Sequence, residues 1–185
     1  SSTVNRIETV LRGVEKLPLF LATHLENHDL EEAAIKKCIA EMVSLNEDIF
    51  GSTVAFEPFA FNPASRFFAP YYYKENDQLV FRYLGDESYD YFQWDWYLIP
   101  KELGAPAWSE PYYDEGGGMI IMSTYSVPFY KNIDGKRTFQ GIVTADISLE
   151  WLVNIISSVS LFRSGYAFLI SQNGVFVTHP DQSLI

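Results

Sequence analysis

The sequence predicts an α+β fold in which helices precede an antiparallel sheet. Residues 4–25 carry apolar side chains at helical spacing, and after Asn46 the pattern changes to short runs rich in Val, Ile, Phe, Tyr and Thr. Those runs are bounded by turn residues, with Asn132-Ile133-Asp134-Gly135 reading as the tip of a hairpin.

Val4, Ile7, Leu11, Val14, Leu21 and Leu25 form one apolar stripe at spacings of three and four, close to a heptad. A stripe this narrow predicts a long helix that pairs with an identical helix, and Pro18 predicts a kink or a break within it. A second helix is predicted from Asp29, as an Asp-x-x-Glu capping box with Glu32, and its apolar face is Ile35, Cys38, Ile39, Met42 and Val43. Strands follow at 52–56, 67–73, 79–83, 119–130 and 137–147. Ser148 then caps a helix with Glu150 in its first turn and Trp151, Leu152, Ile155 and Ile156 on its buried face. Two last strands, 166–171 and 175–179, flank Gln172-Asn173-Gly174 and are too few for an independent sheet. The domain reading is therefore helices over 1–46, a main module over 47–160, and the start of a second module over 161–185.

The chain has 185 residues, 48% of them hydrophobic, so it can build a core. Its net charge of −11 and lack of clustered Lys and Arg argue against a nucleic-acid partner. The single cysteine, Cys38, excludes an internal disulfide and reads as a small core residue. No stretch reaches the roughly 20 apolar residues that a membrane-spanning helix requires.

Several motifs resemble reactive sites and lack essential parts. His24 and His28 have the spacing for one zinc ion, but no third ligand is evident, so they read as a solvated helix face. Gly116-Gly117-Gly118 lacks the Lys-Ser/Thr of a phosphate loop and leads into strand residues, so it reads as a flexible hairpin tip. Asp114 and Asp146 could flank a sugar ring stacked on Trp96, which keeps a carbohydrate-binding or hydrolysing module as an alternative. No cofactor and no catalytic residue is predicted.

The feature that points to function is an aromatic and acidic set in three pieces: Tyr89 with Trp94-Asp95-Trp96-Tyr97, then Pro111-Tyr112-Tyr113-Asp114, then Thr144-Ala145-Asp146. Aromatic residues alone most often fill a core. Interleaved Asp residues change that reading, because a buried carboxylate is costly without a donor or cation, and the set suits a small positively charged ligand.

Together with Trp108-Ser109-Glu110-Pro111, Thr124-Tyr125-Ser126-Val127-Pro128 and 141–149, these residues resemble the membrane-distal module of double-Cache (PAS-like, PDC) extracellular sensor domains, and 165–170 with 178–181 resemble the opening of the membrane-proximal module. The resemblance implies the extracellular part of a membrane-anchored receptor such as a histidine kinase or chemoreceptor; the fold expected is a PAS-like sheet with one face covered by the loop from Tyr89 to Trp108 to form the pocket, and the stripe of the N-terminal helix is expected to pair two copies. It also implies ligand-binding roles for Tyr89, Trp96, Tyr97, Tyr112, Asp114 and Asp146. Family members that bind amino acids carry an Arg two residues before the Trp, gripping the ligand carboxylate; this chain has Trp94 there, which cannot replace the bidentate fork. The expected ligand is thus an amine or methylated amine, with Trp94 adding a cation–π face, and an amino acid is the alternative.

Overall fold

The computed structural model describes residues 2–157, 165–171 and 173–184. Helix α1 (Ser2–Asn27) runs unbroken through Pro18, whose predicted break does not occur. Its stripe is largely covered by the chain's own core: Val14, Leu21 and Leu25 are buried, Leu11 packs beside them, and Ile7 packs on the C-terminal strands, while Val4 is 56% exposed. The stripe expected to be a dimer seam rather than a private core element is therefore mostly a core face. Helix α2 (Glu32–Ser44) starts later than the predicted capping box, with Glu31 at the N-cap and no side-chain cap. Asp29 instead pairs with Lys131 of a distant strand. Ile35, Ile39, Met42 and Val43 are buried as expected, and Cys38 is half-buried against them.

The main sheet is antiparallel, in the order β3 (Gln78–Tyr83), β2 (Pro70–Glu75), β1 (Gly51–Phe56), β7 (Lys136–Ser148), β6 (Ile121–Ile133), β4 (Ala107–Trp108), with β5 (Tyr112–Tyr113) also on β6. The β6–β7 hairpin turns at Asp134-Gly135, both in the left-handed region, as a two-residue primed turn requires. Asn76-Asp77 make the same kind of turn between β2 and β3. Strand residues alternate between two cores. Val54, Phe56, Tyr125, Val127, Phe129, Val143, Ala145 and Ile147 face α1 and α2. Ala55, Tyr71, Tyr73 and Ile142 face the opposite side, under Tyr91, Phe92, Trp96 and Tyr97.

The covering segment 89–108 is not simply a loop. Asp90 accepts the Phe92 N–H to start a short 3-10 turn at Tyr91–Gln93, and helix α3 (Asp95–Leu103) follows, closed by Gly104 in the left-handed conformation. Helix α4 (Leu149–Ser157) buries Leu152 and Ile156 against Val177; the side chain of Trp151 lies outside the described residues. Strands β8 (Leu169–Ile170) and β9 (Phe176–Thr178) pair with each other around a turn in which Gly174 is left-handed and Gln172 lies outside the described residues.

Candidate functional site

On the face away from α1 and α2, period-two alternation places Thr53 of β1, Tyr71 of β2, Thr124 of β6, and Thr144 and Asp146 of β7 side by side. Leu84, Tyr89, Trp96, Tyr112 and Asp114 close over them. The space enclosed is about 10 Å³, room for about one water molecule. A larger groove, about 470 Å³, lies on the helix side near Phe61, Phe129 and Lys131, but its charged pair, Asp29 and Lys131, is already mutually satisfied.

Two carboxyl groups dominate the small cavity, and its lining contains no Lys or Arg. Asp146 is 3% exposed and stands opposite Thr124, whose hydroxyl donates to Asp146 Oδ1 at 2.8 Å. The Tyr112 hydroxyl lies 2.7 Å from Thr124 Oγ1, so a chain of hydroxyls ends on the carboxyl. Burial, reinforced by the charge of Asp114, pushes the Asp146 carboxyl up to about 8, against the opposing effect of Thr124 and Tyr71. Asp114 is 4% exposed and is also raised by burial, held back by backbone N–H groups of Gly118, Gly117 and Gly116 and, at longer range, by Arg82. The Gly118 N–H donates to Asp114 Oδ2 at 2.5 Å.

The three glycines are accordingly a cradle, correcting their reading as a flexible tip. A Cβ on Gly117 would fall 2.3 Å from Asp114 Oδ2, one on Gly116 2.5 Å from the Tyr89 ring, and one on Gly118 2.3 Å from Phe50. Gly51 has a similar role beneath the site, since a Cβ there would meet the Tyr71 hydroxyl at 2.4 Å and Asp146 Oδ2 at 2.9 Å. Tyr71 is 2% exposed, and its hydroxyl faces the Asp146 carboxyl, which it helps to hold down.

Of the residues singled out in the sequence, Tyr89, Trp96, Tyr112, Asp114 and Asp146 converge on the cavity. Tyr89 is fixed by a local turn in which Asp86 Oδ1 accepts its N–H at 2.9 Å. Trp94 is not on the cavity wall; it packs behind it, with ring centroids 5.3 Å from Tyr89 and 6.2 Å from Tyr112. Tyr97 is placed elsewhere, buried in the α3 core with its hydroxyl donating to Glu57 Oε1 at 2.6 Å, beside the Lys101–Glu57 ion pair. Thr53, Tyr71 and Leu84 line the cavity without having been singled out in the sequence. The rings of His24 and His28 lie 4.5 Å apart, tilted by 40°, and no group of three or more metal-ligating side chains occurs among the described residues.

A helix-backed antiparallel sheet with an acidic and aromatic cavity between its other face and a covering segment is the architecture of a PAS-like sensor domain. The profile "Methyl-accepting chemotaxis protein-like, first PDC sensor domain" matches residues 35–154, and the chain belongs to this family. It superposes on the extracellular domain of a protein described as a histidine kinase, mmHK1S-Z3, with a TM-score of 0.80 and 27% identity over 100% of this chain and 69% of that one. The ligand-binding domain of the amino-acid chemoreceptor PctC of Pseudomonas aeruginosa PAO1, in complex with GABA, gives 0.69 and 25% identity over 99% of this chain and 74% of that one. In sequence it is 32% identical over 90 residues to the methyl-accepting chemotaxis protein PscA of Pseudomonas syringae, which is 49% of this chain and 14% of that relative. The chain thus spans a small part of the curated relatives it matches. These findings agree with the sensor role and the extracellular placement expected from the resemblance. Among the described residues no helix is long and apolar enough to cross a membrane.

Proposed function

We propose that this chain is the ligand-binding module of a transmembrane signalling receptor, a histidine kinase or chemoreceptor, and that it binds a small cationic solute, an amine or methylated amine, without transforming it. The observation that carries the reading is the pair of buried carboxyls, Asp114 and Asp146, on one cavity whose lining holds no Lys or Arg. A cation offsets the cost of burying them, whereas a ligand carboxylate would meet like charge and no bidentate partner. Tyr89, Trp96 and Tyr112 supply ring faces for the ammonium. Ligand entry requires Tyr89 and the turn over 114–119 to give way, because the enclosed space holds about one water.

The second reading, an amino acid, is favoured by PctC, whose bound GABA carries an ammonium and a carboxylate together. Titration calorimetry with matched amines and amino acids separates the two. Asp114→Ala and Asp146→Ala are each expected to weaken amine binding by about 2 kcal/mol or more, roughly 30-fold, through loss of a charge-assisted hydrogen bond. Trp94→Arg is expected to move the ranking toward amino acids, although it acts from behind the wall. Unchanged affinity in both Asp variants would remove the cation reading, and an unaltered ranking in folded Trp94→Arg would remove the role of residue 94.

Homodimerisation along α1 completes the proposal. Since Val14, Leu21 and Leu25 serve the chain's own core, the pairing surface is the open side bearing Thr9, Gly13 and the 73% exposed Phe20. Cysteine crosslinking in the membrane-embedded receptor, with Cys38→Ser, is expected to favour Gly13 over Ile7, and the reverse order would place the seam on the half-covered stripe.

A further inference from the structure

We infer that the cavity takes its cation in exchange for a proton: in the free domain Asp114 and Asp146 share one proton, and an entering ammonium expels it to solvent. This rests on the reading of the cavity as a cation site.

The geometry leaves little alternative compensation for two negative charges. Asp146 has the Thr124 hydroxyl at 2.8 Å, Asp114 has the glycine N–H groups, and both face the same space. Among titratable neighbours, β2 contributes Tyr71 and the covering segment contributes Tyr89, while Tyr112 of β5 reaches Asp146 through Thr124. These are phenols raised by burial, which stay neutral. Glu115 adds a further negative charge near Tyr89. Strand β1 presents only Gly51 and Thr53. Arg82 of β3 acts on Asp114 from a distance, its guanidinium donating to the Tyr73 hydroxyl at 2.7 Å. The Tyr71 hydroxyl is buried against Asp146 and favours its charged form, but as a neutral phenol it cannot offset the charge of two carboxylates.

The raised Asp146 carboxyl supports the same account, because at neutral pH the pair retains a proton that a cation alongside would make too acidic to keep. On this account the bound state holds one ammonium and two carboxylates, the free state one carboxylate and one carboxylic acid. The charge in the cavity is the same in both.

Calorimetry of the intact chain with methylammonium, ethanolammonium and tetramethylammonium chlorides, in buffers of different ionisation enthalpy, counts the protons released. Tetramethylammonium has no proton to lose, so any proton counted with it comes from the protein. The expected result is close to one proton released per cation at pH 6, falling toward zero at pH 9, with affinity rising about tenfold per pH unit below the Asp146 titration. Asp146→Asn is expected to bind weakly and to release none. Binding without proton release at pH 6 overturns the exchange and leaves the cation reading standing. No binding of any of the three overturns the cation reading, and the exchange with it.

Discussion

Gly141→Ala is expected to destabilise the domain by about 3 kcal/mol and to lower its Tm by about 10 °C. Gly141 lies next to the β-bulge of β7 and pairs with Phe56 of β1. A Cβ on it would stand 2.2 Å from the Ala55 carbonyl oxygen and 2.8 Å from the Phe56 Cα. Both obstacles are backbone, so no rotamer change relieves the overlap; the β1–β7 ladder must separate. That ladder holds the centre of the sheet, and Thr53 and Asp146 lie on its two strands. Thermal unfolding measures the loss, and hydrogen exchange of the amides in β1 localises it. A variant melting with the wild type would show that the strands tolerate the wider spacing.

The same bulge explains where sequence reading stopped. The long helix, the strand-rich region after Asn46 and the Asp134-Gly135 turn are legible because each rests on local chemistry: periodicity, β-branched and aromatic content, and residues that accept positive φ. Counted from that turn, an unbroken ladder would put Ala145 opposite Thr124. The extra residue Gln140 shifts the register so that Asp146 stands there instead. It also brings Phe139 and Ile142 to the same core, which simple alternation forbids. Nothing in the run Thr138-Phe139-Gln140-Gly141-Ile142 announces a bulge except the glycine, so the Thr124–Asp146 hydrogen bond was not predictable from it.

The covering helix α3 was hidden for a different reason. Pro100 lies inside a helix of nine residues, where the missing N–H argues against helix, and the capping signal is Trp94 rather than Ser, Thr, Asn or Asp. Burial of Trp96, Tyr97 and Pro100 against Ile142 and its neighbours overrides that local preference. Tyr97 then points to Glu57, a contact between residues 40 apart in sequence that no local pattern encodes. The capping-box reading of Asp29 failed by the same logic, since Lys131 is a long-range partner. Asp114 and Asp146 were legible as carboxyls set among aromatic residues. Tyr71 was not, because β2 reads as an ordinary aromatic strand, and only the fold shows its hydroxyl buried against Asp146.

The ligand-free chain is expected to lose stability as pH rises from about 4 to about 8, opposite to the trend of a protein whose carboxylates are all well paired. The cause is Asp146, whose carboxyl is pushed up to about 8 by burial and by Asp114, against roughly 3.9 in an unfolded chain. Between those values the folded state binds more protons than the unfolded state, so the stability gradient with pH is negative. The contribution is fully present below the unfolded value, is lost as pH rises, and is flat above about 8. Its upper bound is ~6 kcal/mol, reduced by whatever relaxation admits water to the cavity. Asp114, raised by burial as well, acts in the same direction. Asp29 and Glu32, lowered by Lys131 and Lys36, and Asp86, lowered by Ser88 and the Tyr89 N–H, act in the other direction, and their contribution is lost only as pH falls below the ordinary carboxylate range. The two effects thus occupy separate windows, and the Tm maximum is expected near pH 4. In Asp146→Asn the side-chain oxygen still accepts the Thr124 hydroxyl while the Asp146 titration is gone and only Asp114 remains, so its Tm should fall less than that of the wild type between pH 5 and 8 and exceed the wild type at pH 8. Identical pH profiles for the two proteins would show that Asp146 is ionised at neutral pH in the free domain. If the profiles differ as expected, the cost of burying negative charge is concentrated on the cavity wall, where a bound cation can reverse it and a change in ligand becomes a change in the stability of the sheet face above it.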